Sequence, residues 1–129
     1  MADETRKELH DKGMAVRRAV LGDKYVDAAV QNTTDFNRPM QELVTEYCWG
    51  AVWGRDGLTR KERSMINLAM LTALGRLHEV EAHVRGALNN GVTPAQISEV
   101  LLQTAIYCGV PAAIDSYRAA GKVLAEHGG

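Results

Sequence analysis

The chain has 129 residues, with 15 Lys and Arg against 16 Asp and Glu, 46% apolar residues, three prolines and two cysteines. That length suits one domain, residues 1–129, burying roughly two-thirds of the surface its unfolded form exposes. A formal charge of −1 with both signs interspersed offers no broad field for nucleic acid or anionic lipid, and the apolar fraction is too high for disorder.

Apolar residues recur at helical spacing almost throughout, and no alternating β-branched run is flanked by hairpin signals, so the fold class is all-α, with six to seven helices. A first helix is predicted from about Glu4 to Leu21, turning Leu9, Met14, Val16 and Val20 to the core and ending at Gly22. The start of the chain has neither the apolar stretch nor the cleavage site of a signal peptide, so a cytoplasmic location is expected. A short second helix spans Lys24 to Val30. Asn37 then offers a cap and Pro39 a first turn for a helix from about Arg38 to Trp53, closed by Gly54-Arg55-Asp56-Gly57. Thr59-Arg60-Lys61-Glu62 reads as a capping box. The run behind it, Met65 to Leu74, is half of what a bilayer crossing needs and reads as a core helix.

A fifth helix follows from about Arg76 to Asn89, with Leu77, Val80, Val84 and Leu88 as its core stripe. Thr93-Pro94-Ala95-Gln96 combines a capping box with proline at the first helical position and opens a helix to Cys108. Gly109 breaks it, and a last helix from Pro111 to about Glu126 is expected to bury Ile114, Tyr117, Ala120 and Leu124.

Two places stand out chemically. On the fifth helix Arg76, Glu79 and His83 share one flank of the core stripe. A cation, a carboxylate and an imidazole at a core boundary can bind an anion and move a proton; the plainer reading is a surface salt-bridged trio. His78 leaves the opposite flank with Arg85. On the Arg38–Trp53 helix, Met40, Leu43, Val44, Tyr47 and Ala51 form a core face, while Glu42, Glu46, Trp49 and Trp53 stack nearly opposite. Exposed tryptophans beside carboxylates mark a ligand wall or a subunit interface; the plainer reading is that helix curvature puts Trp49 or Trp53 into the core of the same subunit.

The last two helices are spaced like a helix-turn-helix, but the second opens with Ala112, Ala113 and Ile114, where a reader of base edges needs polar side chains. Cys48 and Cys108, sixty residues apart in apolar surroundings, read as two buried thiols in a reducing compartment rather than a disulfide or zinc site. No HExxH, CxxC, GxGxxG or P-loop occurs, so metal and nucleotide chemistry lack a carrier and no cofactor is expected.

At Arg63-Ser64-Met65-Ile66 through Gly75, and at His83-Val84-Arg85-Gly86-Ala87-Leu88-Asn89-Asn90-Gly91-Val92-Thr93, the chain resembles the carboxymuconolactone decarboxylase family of the alkylhydroperoxidase-like superfamily. Peroxidase-type members read E-x11-C-x-x-C-x-x-x-H in this segment. Here Ser64 stands for the glutamate, Arg76 and Glu79 for the cysteines, and only His83 is retained. A thiol peroxidase cannot work without its thiols, so the departures point to the decarboxylase branch. The runs Arg17-Arg18-Ala19-Val20-Leu21-Gly22, Glu46-Tyr47-Cys48-Trp49-Gly50 with Trp53, and Leu101 through Pro111 extend the resemblance over nearly the whole chain.

The resemblance implies a helical bundle in homo-oligomers, commonly trimers of dimers, and cofactor-free decarboxylation of 4-carboxymuconolactone to 3-oxoadipate enol-lactone in the protocatechuate branch of the β-ketoadipate pathway. The small-molecule partner is then a dicarboxylate lactone. His83 is the expected general acid with Glu79 orienting it. Arg76 and Arg63 are expected to anchor substrate carboxylates, and Glu46, Trp49 and Trp53 to wall a closed, dry pocket. The rival readings are a thiol-dependent peroxidase of the same superfamily and a non-enzymatic helical assembly module.

Overall fold

The computed structural model describes residues 5–127, and all regular structure among them is helical: α1 (Arg6–Leu21), α2 (Asp23–Gln31), α3 (Arg38–Leu43), a π-helical segment (Val44–Val52), α4 (Arg60–Leu74), α5 (Leu77–Asn89), α6 (Pro94–Tyr107) and α7 (Val110–Glu126). The class is all-α, as the periodicity predicts. The chain parts between Thr59 and Arg60 into two compact units, each with its own core.

In the first unit α1 starts on a capping box that the sequence reading did not single out: the Thr5 hydroxyl accepts from the Glu8 amide, and the Glu8 carboxylate from the Thr5 amide. The helix packs against the π segment through glycines. A methyl group on Gly13 would collide with the Thr45 carbonyl oxygen, and one on Gly50 would lie 2.5 Å from the Leu9 carbonyl oxygen. Two backbones therefore touch where side chains usually intervene.

This close crossing overturns the expected orientation of the Arg38–Trp53 stretch. Trp49 and Trp53 are 3% and 6% exposed, packed with Val16, Val20, Leu21 and Val26, their ring centroids 4.9 Å apart. The expected core residues Met40, Leu43 and Tyr47 are exposed, and Val44 is only partly buried. The stripe of Glu46, Trp49 and Trp53 is kept but faces inward, while Met40 and Leu43, within the α-helical α3, face out. The Val44–Val52 segment itself closes on i to i+5 bonds, such as Trp53 N–H to the Cys48 carbonyl at 2.9 Å.

In the second unit α4 to α7 enclose Leu68, Val80, Val84, Ala87, Ile97, Leu101, Ala120 and Val123. The Thr93 capping box is present as predicted, Thr93 and Gln96 each answering the other's amide, with Pro94 in the first turn. Gly91 and Gly109 take φ of +87° and +107° in the turns before α6 and α7, a conformation that excludes most side chains. In α7 the buried residues are Ala113, Ser116, Ala119, Ala120 and Val123, whereas Ile114 and Tyr117 are exposed. The helix turns mainly small residues inward; of the predicted stripe Ala120 is buried and Leu124 half-buried, while Ile114 and Tyr117 stay outside.

Both cysteines are free and exposed, against the expectation of buried thiols. Among the described residues no helix is long and apolar enough to cross a membrane.

Candidate functional site

His83 sits in α5 between the fully buried Val80 and Val84, at the edge of the second core. The ring is half-buried, and its Nδ1 lies 3.3 Å from the Asn67 side-chain nitrogen on α4. An amide N–H only donates, so Nδ1 accepts and the hydrogen of the neutral ring belongs on Nε2. Burial pulls the imidazole pKa below its ordinary value, and the charge of Glu79, one turn earlier, opposes this in part. The free chain thus holds His83 neutral at pH 7.

Arg63 precedes Asn67 by four residues on α4, as Glu79 precedes His83 on α5, so each pair shares one helix face. Arg63 is half-buried and Glu79 exposed. Arg76 is exposed at the N-cap position of α5, with φ −90° and ψ 73°. Of the predicted trio, the fold couples Glu79 to His83 and leaves Arg76 in water. The flank is open at Arg76 and Glu79, not the closed, dry chamber expected. Ser64, at the position of the peroxidase glutamate, is fully buried and accepts a 2.9 Å hydrogen bond from the Asn90 amide, a structural role.

The first unit's predicted site residues are engaged inside it. Glu46 is buried and takes a 2.9 Å ion pair from the Arg6 Nε, which holds its carboxyl below the usual range. Trp49 and Trp53 have almost no surface left to offer a ligand in this chain. Asn67, which orients the imidazole, was missed from the sequence; its signal was an amide interrupting an apolar helix one turn after Arg63. A cavity of about 330 Å³ lined by Met65, Ile66, Ala69, Val100, Thr104 and Tyr107, among others, contains none of the predicted site residues.

Residues 38–122 match the model of the carboxymuconolactone decarboxylase family. The chain is 47% identical over 114 residues, 88% of its length and 80% of the relative's, to nitrosuccinic acid decarboxylase npaB of Metarhizium robertsii. It is 39% identical over 128 residues, 99% of its length and 93% of the relative's, to 4-carboxymuconolactone decarboxylase of Acinetobacter baylyi. A 4-carboxymuconolactone decarboxylase of Pseudomonas putida is 48% identical over 44 residues, 34% of this chain and 92% of that one. The resemblance carried by the Arg63–Gly75 and His83–Thr93 runs is thereby established, and the chain is an enzyme of the carboxymuconolactone decarboxylase family.

Proposed function

We propose that the enzyme removes CO2, without a cofactor, from a small dicarboxylate that carries its own electron sink, and that 4-carboxymuconolactone is that substrate. The near full-length similarity to the Acinetobacter baylyi enzyme carries this reading. In the lactone the leaving carboxylate is vinylogous to the ring carbonyl, so the electron pair freed by C–C cleavage spreads onto that oxygen. The protein then needs to hold the dianion, stabilise the developing charge and return one proton to carbon.

His83 is the proposed proton donor. A carboxylate bound beside it raises its depressed pKa, so substrate binding itself loads the acid. Asn67 fixes the ring at Nδ1, and the Nε2 proton is the one proposed to reach the reacting carbon. Glu79 favours the imidazolium, and Arg63 and Arg76 anchor carboxylates. This replaces the expected pocket wall of Glu46, Trp49 and Trp53, since those residues are taken up within the first unit.

The match to nitrosuccinic acid decarboxylase supports a second reading, in which a nitro group is the sink. Both acids place a departing carboxylate in conjugation with an electron-withdrawing group, through the ring double bond in the lactone and directly in nitrosuccinate, and keep a second carboxylate. The exposed side chains of Ile66, Met70, Leu74, Leu102 and Ile106 support a homo-oligomer, proposed as a trimer of dimers, and the family match, which runs across the Thr59/Arg60 boundary, supports one working domain. The free thiols suit a reducing cytoplasm.

The test is decarboxylation of freshly generated 4-carboxymuconolactone and of nitrosuccinate in parallel, with wild type and His83→Ala. Faster turnover of the lactone is expected, falling by a factor of ~10²–10⁴ in the variant. Turnover of nitrosuccinate alone would move the assignment to the second reading, and a fully active His83→Ala would remove the proposed donor.

A further inference from the structure

The first unit holds a second polar site that the reading of His83 does not use. Arg17 lies on the inward stripe of α1 with Leu9, Gly13, Val16 and Val20 and is 6% exposed. Its Nη1 donates to two neutral oxygens, Gln41 Oε1 at 3.1 Å and Thr45 Oγ1 at 3.5 Å. Its Nε is sealed from water without a hydrogen-bond partner. The ionisable groups that act on it are the Tyr25 phenol and the Cys48 thiol, neither of them a carboxylate. Other arginines of the unit are answered: Arg6 by Glu46, Arg18 by Asp23 and Asp27, and Arg38 by Asp35.

A guanidinium stays charged in any protein environment, and a buried charge without a counter-ion is strongly unfavourable. Arg17 borders a cavity of about 260 Å³ whose apolar wall includes Met14 and Val30 and whose polar wall includes His10, Arg38 and Gln41. Glu42, also at this cavity, forms a 3.6 Å ion pair with Arg6.

We infer that this cavity is a binding site for a small aliphatic carboxylate, whose head group pairs with Arg17 and whose hydrocarbon body lies on Met14 and Val30. Nη2, which Gln41 and Thr45 leave over, is the donor that a carboxylate in the cavity meets first, and a small turn of the side chain brings the sealed Nε onto the second oxygen, completing the fork that a planar carboxylate matches. The space admits an acid of a few carbons. The site lies wholly within the first unit and does not rest on the decarboxylation proposal.

Butyrate is the probe, with butanol and chloride as its uncharged and inorganic counterparts. Both tryptophans belong to the first core, so thermal unfolding followed by tryptophan fluorescence reports on this unit without any assay of turnover. Butyrate at ten times its dissociation constant is expected to raise the midpoint by about 5 °C and to shift the carbon-13 methyl signal of Met14. Butanol and chloride are expected to do neither. Arg17→Met should lose the butyrate response, and Arg17→Lys, which keeps a charge without the fork, should need at least threefold more butyrate. No response in wild type, an equal response to butanol or chloride, or an undiminished response in Arg17→Lys would each overturn the site.

Discussion

The two units solve the same packing problem by different means. The first brings backbones together at Gly13 and Gly50, seals Thr45, Glu46 and Arg17 inside, and turns the chain through a π-helical segment. The second packs α-helices of ordinary geometry around aliphatic side chains, with short buried hydroxyl and amide bonds such as Thr72 to Ser116 and Asn90 to Ser64, and brings the Nε of Arg63 below its surface. Its proposed acid–base pair, Glu79 and His83, stays at the edge of the core. Irregular backbone with buried charge costs stability and persists where the surrounding packing holds it. The contrast places the first unit's stability in tight steric fit and the proposed chemistry of the second unit on a tolerant scaffold.

Gly13→Ala is the sharpest way to break that contrast. The added methyl group meets the Thr45 carbonyl, a backbone atom that cannot rotate away. The gain in helix propensity, about 1 kcal/mol, is outweighed by an overpacking cost of about 3 kcal/mol or more. Tryptophan fluorescence should record the loss. In the second unit Gly121→Ala, where a methyl group meets no heavy atom within 4 Å, is expected to be neutral or slightly stabilising. Equal behaviour of the two variants would dissolve the distinction.

The second unit was the more legible from sequence because its rules are local. The Thr93-Pro94-Ala95-Gln96 box, the Gly91 and Gly109 breaks and the Val80–Val84 stripe each act within a turn or two. In the first unit the 3.6-residue period gives two stripes and does not say which is inward: Met40, Leu43 and Tyr47 form the more apolar one, but the glycine crossing buries Glu46, Trp49 and Trp53. Gly13 and Gly50 carried the signal, but only their pairing across 37 residues gives it meaning. His83 is legible from the flank it shares with Arg76 and Glu79 and from its retained position in the family frame, whereas Asn67 lies on a different helix and its contact with His83 needs α4 and α5 in register.

Buried polarity in the second unit supplies a middle-sized test. Thr72 Oγ1 donates to Ser116 Oγ at 2.8 Å, and both residues are almost fully buried. Ser116→Ala alone leaves the Thr72 hydroxyl unanswered at a cost of about 1–3 kcal/mol, while Thr72→Val with Ser116→Ala removes both polar groups and is expected to recover most of it. Urea unfolding of the two single variants and the double variant gives the coupling directly. Additive losses would mean that each hydroxyl finds another partner, and the second unit would then hide polarity as the first does.

The smallest effect separates the units by pH. The folded-state pKa of His83 lies below its unfolded value, so between the two the unfolded chain binds more protons and stability falls on acidification through the region just under pH 6.5. Glu46 is also depressed, by Arg6, and its stabilisation is intact above about pH 4.5 and lost as pH falls through its folded value. Hydrogen exchange read by peptide should therefore show α5 losing protection at mildly acid pH while α1 and the π segment hold, and the first unit following only below pH 4.5. His83→Gln should abolish the earlier step and Glu46→Gln the later one. The same titration bears on catalysis, because kcat/KM reports the free enzyme. If protonated His83 is the donor, kcat/KM declines as pH rises through that depressed value, while kcat, measured with a carboxylate bound beside the ring, declines at higher pH. Coincident profiles would mean that substrate charge does not reach the imidazole, and His83 would then belong to the scaffold of the second unit and not to its chemistry.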